Sequence, residues 1–336
     1  MLKAHRHEPP VSADEISVVY EDDDLLAVTK PPSIPTHPCG AYRHNSLHSI
    51  LQATRPDHPQ LHIVHRLDRL TSGVVLLAKN AAKAKALSLI IVTICFKMSI
   101  VFLTKNALLC YTTLCAADRQ VSKTYLARVA GQFPAVFDLA SQKKLVSEAK
   151  AKCSASLITF LEEGGILISC PLRCLSARDG VWECHEEGKP SETQVRLVRV
   201  DKFSSLVKCK PVTGRTHQIR LHLQLLGYPI ANDPCYGGQL HYGESVERLK
   251  EVEAAKRIKA SLPSKDPVDF STPQKTNESD EEFMRRTCTG CKFSKADELN
   301  ESLLHCSKIW LHALKYKLDD QVFKTAEPTW AAPSNY

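Results

Sequence analysis

The chain has 336 residues, of which 43% are hydrophobic and 24% charged, with a formal net charge of +7 at neutral pH. This composition excludes a disordered tail protein, a collagen and a polytopic membrane protein, and the length is enough to bury a substantial core. The modest basic excess is compatible with a polyanionic partner without requiring one. In chain order, residues 16–20 form a β-branched, apolar run, residues 21–24 an acidic turn and residues 25–30 a second strand, which together predict a hairpin. Prolines at 31, 32 and 35 end it, leaving an extended loop through His37, Pro38 and Gly40. Further strands are expected at 74–78, 123–130, 193–200, 206–210 and 309–317, with Pro211 closing the fourth of these. Residues 216–226 carry Ile219, Leu223 and Leu226 at helical spacing, followed by Gly227 as a C-terminal stop. Strands outnumber helices and several are joined as hairpins. The expected fold is therefore α/β in the α+β sense, a mixed, largely antiparallel sheet.

Two segments depart from this pattern. Residues 241–300 hold 11 Lys and Arg against 12 Asp and Glu, with few apolar anchors, and read as a charged surface insertion. Their net charge is −1, so the remaining 276 residues carry +8 and the basic excess belongs to the folded part. Residues 89–117 are apolar, rich in Thr and Cys, and free of acids. They read as foreign to the fold, of the composition an A/T-rich translated intron would encode, and their deletion is expected to raise soluble yield. Residues 86–104 are long enough to be weighed as a membrane span, but Lys97 lies near the middle and a span would separate the motifs that flank it. No membrane association is expected.

Thirteen cysteines raise the question of a secreted, disulfide-linked protein. The first ten residues show no apolar leader and acids cluster at 21–24, so a cytoplasmic or nuclear compartment with reduced thiols is expected. Cys288 and Cys291, with His305 and Cys306 downstream, make half of a zinc signature. Adjacent residues do not easily supply two ligands to one ion, so free thiols and no metal are the expectation.

The string His65-Arg-Leu-Asp-Arg-Leu-Thr-Ser-Gly73 sets Asp68 between Arg66 and Arg69 in a loop that enters a strand. Neighbouring cations favour an ionised carboxylate, which suits a nucleophile or electrostatic stabiliser, although surface ion pairs explain the residues equally well. In Pro211-Val-Thr-Gly-Arg-Thr-His-Gln-Ile-Arg220-Leu-His222, a Gly turn and two arginines entering a helix make either an anion grip or a structural helix start.

With Lys123-Thr-Tyr125 and Gly227-Tyr-Pro-Ile-Ala-Asn-Asp-Pro234, these strings resemble the RluA-type pseudouridine synthases, in the family's own order. Residues 5–11 and 33–40 resemble its eukaryotic branch. The resemblance spans nearly the whole chain as one catalytic domain, residues 1–336, interrupted at 89–117 and 241–300, with no S4-like domain ahead of it. It implies helices flanking a central RNA-binding cleft and isomerisation of a flipped-out uridine to pseudouridine. It further implies Asp68 as nucleophile, Tyr125 stacked on the base and helping to move its C5 proton, Arg220 paired with Asp68, and Arg66 filling the gap left by the base. Arg69, Lys123, Arg215 and His217 are expected to contact RNA.

Nothing is oxidised and nothing leaves in such a reaction, so no cofactor is expected, and no P-loop or dinucleotide fingerprint is present. An unstacked loop uridine is the cheapest to extrude, which favours a tRNA loop as the RNA partner; no obligate protein partner is signalled. The competing readings are a catalytically inactive RNA-binding protein of the same fold and a carboxylate glycosidase, which needs a second acid beside Asp68. Trp310 and Trp330 are expected to pack in the core, and His222 to be a buried, hydrogen-bonded helix residue.

Overall fold

A computed structural model describes residues 8–9, 11–57, 60–90, 121–162, 164–177, 180–238 and 308–333, together with Lys275, Ser279, Glu282 and Phe283. Most of the two expected insertions, and the Cys288/Cys291 group with its downstream His305 and Cys306, lie outside these residues.

Among the described residues, eleven strands make one sheet. β1 (Val18–Glu21) and β2 (Leu25–Lys30) form the expected hairpin, two residues shorter at its start. β3 (His62–Ile63) and β4 (Ser72–Ala78) follow, and a helical stretch covers 81–90. β5 (Val121–Ala130), β6 (Leu157–Phe160) and β7 (Ile166–Ser169) precede a separate hairpin, β8 (Leu172–Ser176) and β9 (Val181–Cys184). β10 (Glu192–Val200), β11 (Ser204–Pro211), β12 (Leu311–Leu318) and β13 (Gln321–Lys324) complete the set. The order is β1-β2-β4-β12-β5-β11-β10-β7-β6, with β13 beside β12 and β3 beside β4. All sheet pairs are antiparallel except β12 with β4, so the mixed, largely antiparallel sheet is observed as expected.

Three further helices accompany the sheet: α1 (Leu47–Thr54), α2 (Leu139–Lys152) and α3 (Gln218–Leu225). Asp138 caps α2 by accepting the Ser141 N–H at 2.7 Å, and Lys150 and Lys152 in the last turn complement its dipole. α3 is shorter than expected, since Thr216 and His217 lie before it and Leu226 is its C-cap. Gly227 then turns at φ +85°, its N–H reaching the Gln224 carbonyl while Tyr228 N–H reaches that of Leu223. This double bond pattern is a Schellman stop, which needs the positive φ that glycine accepts freely. The late strand also starts two residues later than expected. Ile309 and Trp310 instead donate their N–H groups to Leu70 and Ala231 carbonyls, tying the strand's approach to the loops around the site.

Two main apolar clusters share the sheet. One gathers β2, β4 and α1 through Leu26, Val28, Leu47, Val75 and Leu77, and the other gathers β5, β10, β11 and α3 through Val129, Val195, Val207 and Leu223. Each fully buried Leu or Val contributes roughly 1.5–3 kcal/mol relative to exposure. The two clusters meet at Tyr125, which packs against both. Trp310 is buried and stacks on Trp330 with rings 6.0 Å apart and 3° from parallel, so both pack inward as expected.

Candidate active site

The Asp68 loop runs between β3 and β4 and is held from below. The Lys30 ammonium, with no exposed surface, donates to the carbonyls of Pro31 (2.8 Å), Ile34 (2.8 Å) and Arg69 (3.2 Å). Thr36 clamps Leu67 through its hydroxyl, which donates to the Leu67 carbonyl at 3.0 Å and accepts the Leu67 N–H at 3.1 Å. His65 stacks on Tyr316 at 4.7 Å and accepts the Leu76 N–H at 3.1 Å. A loop so bound at residues 65, 67 and 69 presents Asp68 between fixed points.

Facing it is the turn from β11 into α3. Gln218 organises this turn: its carbonyl oxygen accepts from the Thr213 hydroxyl (2.7 Å) and the Arg215 N–H (3.0 Å), while its amide donates to the Glu192 carbonyl (2.7 Å). Two residues on, Arg220 meets two acids. Its Nε and Nη2 donate to Asp233 Oδ2 and Oδ1 at 2.7 and 2.8 Å, and its Nη1 lies 3.4 Å from Asp68 Oδ2. The guanidinium is 4% exposed and Asp233 1%, which makes this a buried charge pair. Burial works against the arginine's charge, and the hydrogen bond and charge of Asp233 outweigh it, so its pKa is raised overall.

The strand between these two walls supplies the third. Lys123 and Tyr125 are two residues apart on β5 and therefore share a face, as alternation in a strand requires. Both line a cavity of about 300 Å³, along with Val121 on the same face, the Asp68 loop and the 211–220 turn. Burial, with Tyr316 and Asp68 nearby, pushes the Tyr125 phenol upward, so it stands protonated at neutral pH. The Lys123 ammonium sits 5.3 Å over the Tyr316 ring. A carboxylate, a protonated phenol and a guanidinium thus converge on one pocket opening between two basic rims.

A sequence model of the RNA pseudouridylate synthase family matches residues 24–225, which hold all three of these groups. The chain belongs to that family. It is 33% identical to RNA pseudouridine synthase 7 of Oryza sativa subsp. japonica, over 98% of this chain and 73% of that protein. It is 30% identical to pseudouridylate synthase RPUSD2 of Mus musculus over 97% of this chain, and spans 58% of that protein's length. It is also 29% identical to the mitochondrial tRNA pseudouridine(32) synthase of Saccharomyces cerevisiae, over 99% of this chain and 61% of that one.

Of the eight site residues expected in this chain, Asp68, Tyr125, Arg220, Arg66, Lys123, Arg215 and His217 line the same cavity. Arg69 does not; its guanidinium lies 5.7 Å over the Tyr42 ring. Among the described residues Asp68 pairs with Arg220 and faces the His217 ring at 3.7 Å, both across the fold, and not its sequence neighbours Arg66 and Arg69. Arg220 does grip carboxylates, as its helix entry left open, but they are the protein's own Asp233 and Asp68. Arg66 is exposed at the rim, and Arg215 is half-buried with its Nε on the Pro190 carbonyl at 3.2 Å. His222 is buried as expected, bonded to Thr193 and Ser191 hydroxyls and the Cys170 carbonyl, and burial pulls it down to about 4.

Sequence reasoning missed Lys30, Thr36, Gln218, Asp233 and Tyr236 as parts of the site. The signal for Asp233 was in view, within the Asn-Asp-Pro string, but its partner lies 13 residues earlier and only the fold joins them. Thr71 was also passed over. Its hydroxyl lies in the cavity wall, buried, with no hydrogen-bond partner among the described residues.

Proposed function

We propose that this chain isomerises an extruded uridine in RNA to pseudouridine, with Asp68 as the nucleophile and a tRNA loop as the favoured substrate. The observation that carries the reading is the convergence of Asp68, Tyr125 and Arg220 on one 300 Å³ cavity, of a size to take a single flipped base and its sugar. The carboxylate attacks the sugar carbon C1′ as the N1–C1′ bond breaks. The uracil turns, C5 attacks C1′ and releases the carboxylate, and the C5 proton passes to solvent while N1 takes one up. Tyr125, on β5 in the cavity wall, serves as the stacking partner, and its protonated hydroxyl is suited to giving a proton to the base rather than taking one. Arg220 orients the carboxylate, and Arg66, Lys123 and Arg215 at the rim meet the phosphates. Arg69 has its place in the outer flank, against Tyr42.

The tRNA preference is supported by the low cost of unstacking a loop uridine and by the yeast relative named for a tRNA position. Among the described residues no helix is long and apolar enough to cross a membrane. The expectation of a cytoplasmic or nuclear protein stands beside that yeast relative's mitochondrial name.

The test is to sequence RNA after pseudouridine-specific chemical marking, from cells lacking this gene and from cells complemented with wild type or Asp68→Asn. Sites that vanish on deletion and return with wild type alone are expected. Their return with Asp68→Asn removes the nucleophile from the mechanism, and their persistence in the deleted cells removes the activity.

A further inference from the structure

His217 stands immediately before α3 with its backbone left-handed, at φ 56° and ψ 16°, a region in which a non-glycine residue stores strain. That conformation turns the ring inward between two groups. Nδ1 is 2.7 Å from the Tyr236 hydroxyl, and Nε2 is 3.7 Å from Asp68 Oδ2. Tyr236 is 3% exposed, and its oxygen also accepts the Trp182 N–H at 3.1 Å. If His217 carried its proton on Nδ1, that oxygen would accept twice and the buried phenol proton would be left without an acceptor, at a cost of about 1–3 kcal/mol. The satisfied arrangement has Tyr236 O–H donating to Nδ1. The imidazole proton is then on Nε2, pointing at Asp68.

We propose that Tyr236 is a positioning residue that fixes the Nε2–H tautomer of His217, so that His217 and Arg220 both address Oδ2 of Asp68 and leave Oδ1 to attack the sugar. This rests on Asp68 being the nucleophile. Arg220 Nη1 approaches the same Oδ2, at 3.4 Å. Burial keeps the imidazole below its usual pKa, although Asp68 pulls the other way, so the ring meets the carboxylate as a neutral donor. A second cation there would stabilise the carboxylate further and blunt its nucleophilicity, whereas a neutral N–H steers it. The present separation is long for a hydrogen bond, as is common in unliganded sites that tighten around substrate. The β8–β9 hairpin enters the site through this route, because Trp182 on β9 is the residue whose N–H holds Tyr236.

Ring nitrogens of His217 can be read directly by proton–nitrogen correlation spectra of labelled protein, with the signal assigned by its loss in His217→Gln. Wild type is expected to show the Nε2–H tautomer near neutral pH. Tyr236→Phe should mix the tautomers and lower kcat by about 10-fold to 100-fold with KM for RNA unchanged. His217→Gln, whose amide can donate from the Nε2 position, should keep more activity than His217→Leu. A wild-type ring protonated on Nδ1 or on both nitrogens overturns the proposal, as does Tyr236→Phe with wild-type kcat or an unchanged tautomer. The wild-type spectrum needs no turnover. An active Asp68→Asn protein would therefore remove the nucleophile while leaving the tautomer result to stand or fall by itself.

Discussion

Arg220 binds two carboxylates at once, and only Asp68 faces the cavity. A lysine there keeps the charge but loses the planar fork, so it can satisfy Asp233 or approach Asp68 and not do both. Arg220→Lys should lower single-turnover isomerisation by at least about 100-fold, a loss of the size seen when an oriented charge is removed from a reacting group. Asp233→Ala should cost roughly 3–5 kcal/mol in urea unfolding, because a buried guanidinium is left with the more distant Asp68 alone. Lys30 gives a pH signature. Burial pulls it from the ordinary 10.5 down to about 7, so between those values the unfolded chain holds a proton that the folded chain has released. Stability on this account rises as pH increases through that window, by at most about 1.4 kcal/mol per pH unit. Urea unfolding of wild type and Lys30→Met between about pH 7 and about pH 9 should show the excess slope in wild type only. Equal slopes would mean that Lys30 stays charged when buried. The residues proposed for the chemistry were legible because they sit in dense local strings around Asp68 and Arg220. Those that hold them were not, since Lys30 lies 39 residues from the Arg69 carbonyl it serves and has the look of an ordinary strand-end lysine.

At the level of elements, the parallel joint of β4 and β12 explains the Gly that closes the Asp68 string. Gly73 has φ +120°, and a Cβ there would stand 2.3 Å from the Ala313 carbonyl oxygen, its partner across the joint. Gly73→Ala must push the strands apart at backbone atoms, and should destabilise by more than about 2 kcal/mol with loss of activity out of proportion to unfolding. A thermal midpoint within a few degrees of wild type would show that β4 and β12 separate easily. The strands of the central sheet were readable from their β-branched, apolar runs, and α3 from its buried stripe of Ile219, Leu223 and Leu226. α2 was not, because only Leu145 and Ala149 of its 14 residues are buried and its surface reads as a polar linker. β6 to β9 are four- and five-residue strands, too short for alternation to stand out. The β4–β12 pairing has no local signature of any kind, since Ser72 pairs with His312.

Taken as a whole molecule, the chain keeps its basic excess outside residues 241–300, and the cavity opens between Arg66, Lys123 and Arg215. RNA affinity should therefore fall steeply with salt. Replacing any one of these three by Ala should reduce the logarithmic slope by about 0.7–0.9, whereas Asp68→Ala should leave it unchanged. A filter-binding titration across salt concentrations reads this directly, and an unchanged slope in all three variants would move the phosphate contacts elsewhere. The far end of the chain is also fastened from within. The buried Arg128 pairs with Asp201 and donates to the carbonyls of Trp330 and Ala332 at 2.8 and 2.7 Å, while Arg199 takes that of Ala331 at 2.9 Å. Truncation before Thr329 should strip a buried cation of two acceptors and lower stability by about 2–5 kcal/mol, measurable by denaturant unfolding. The strand order has a consequence in time. β12 lies between β4, which follows the Asp68 loop, and β5, which carries Tyr125, yet it is made after both. Two walls of the pocket are thus synthesised before the strand that joins them. Because its contacts span some 240 residues, their closure is a slow, late step in folding. A nascent chain halted short of Leu311 should therefore leave the strands of Asp68 and Tyr125 unjoined, however complete its motifs.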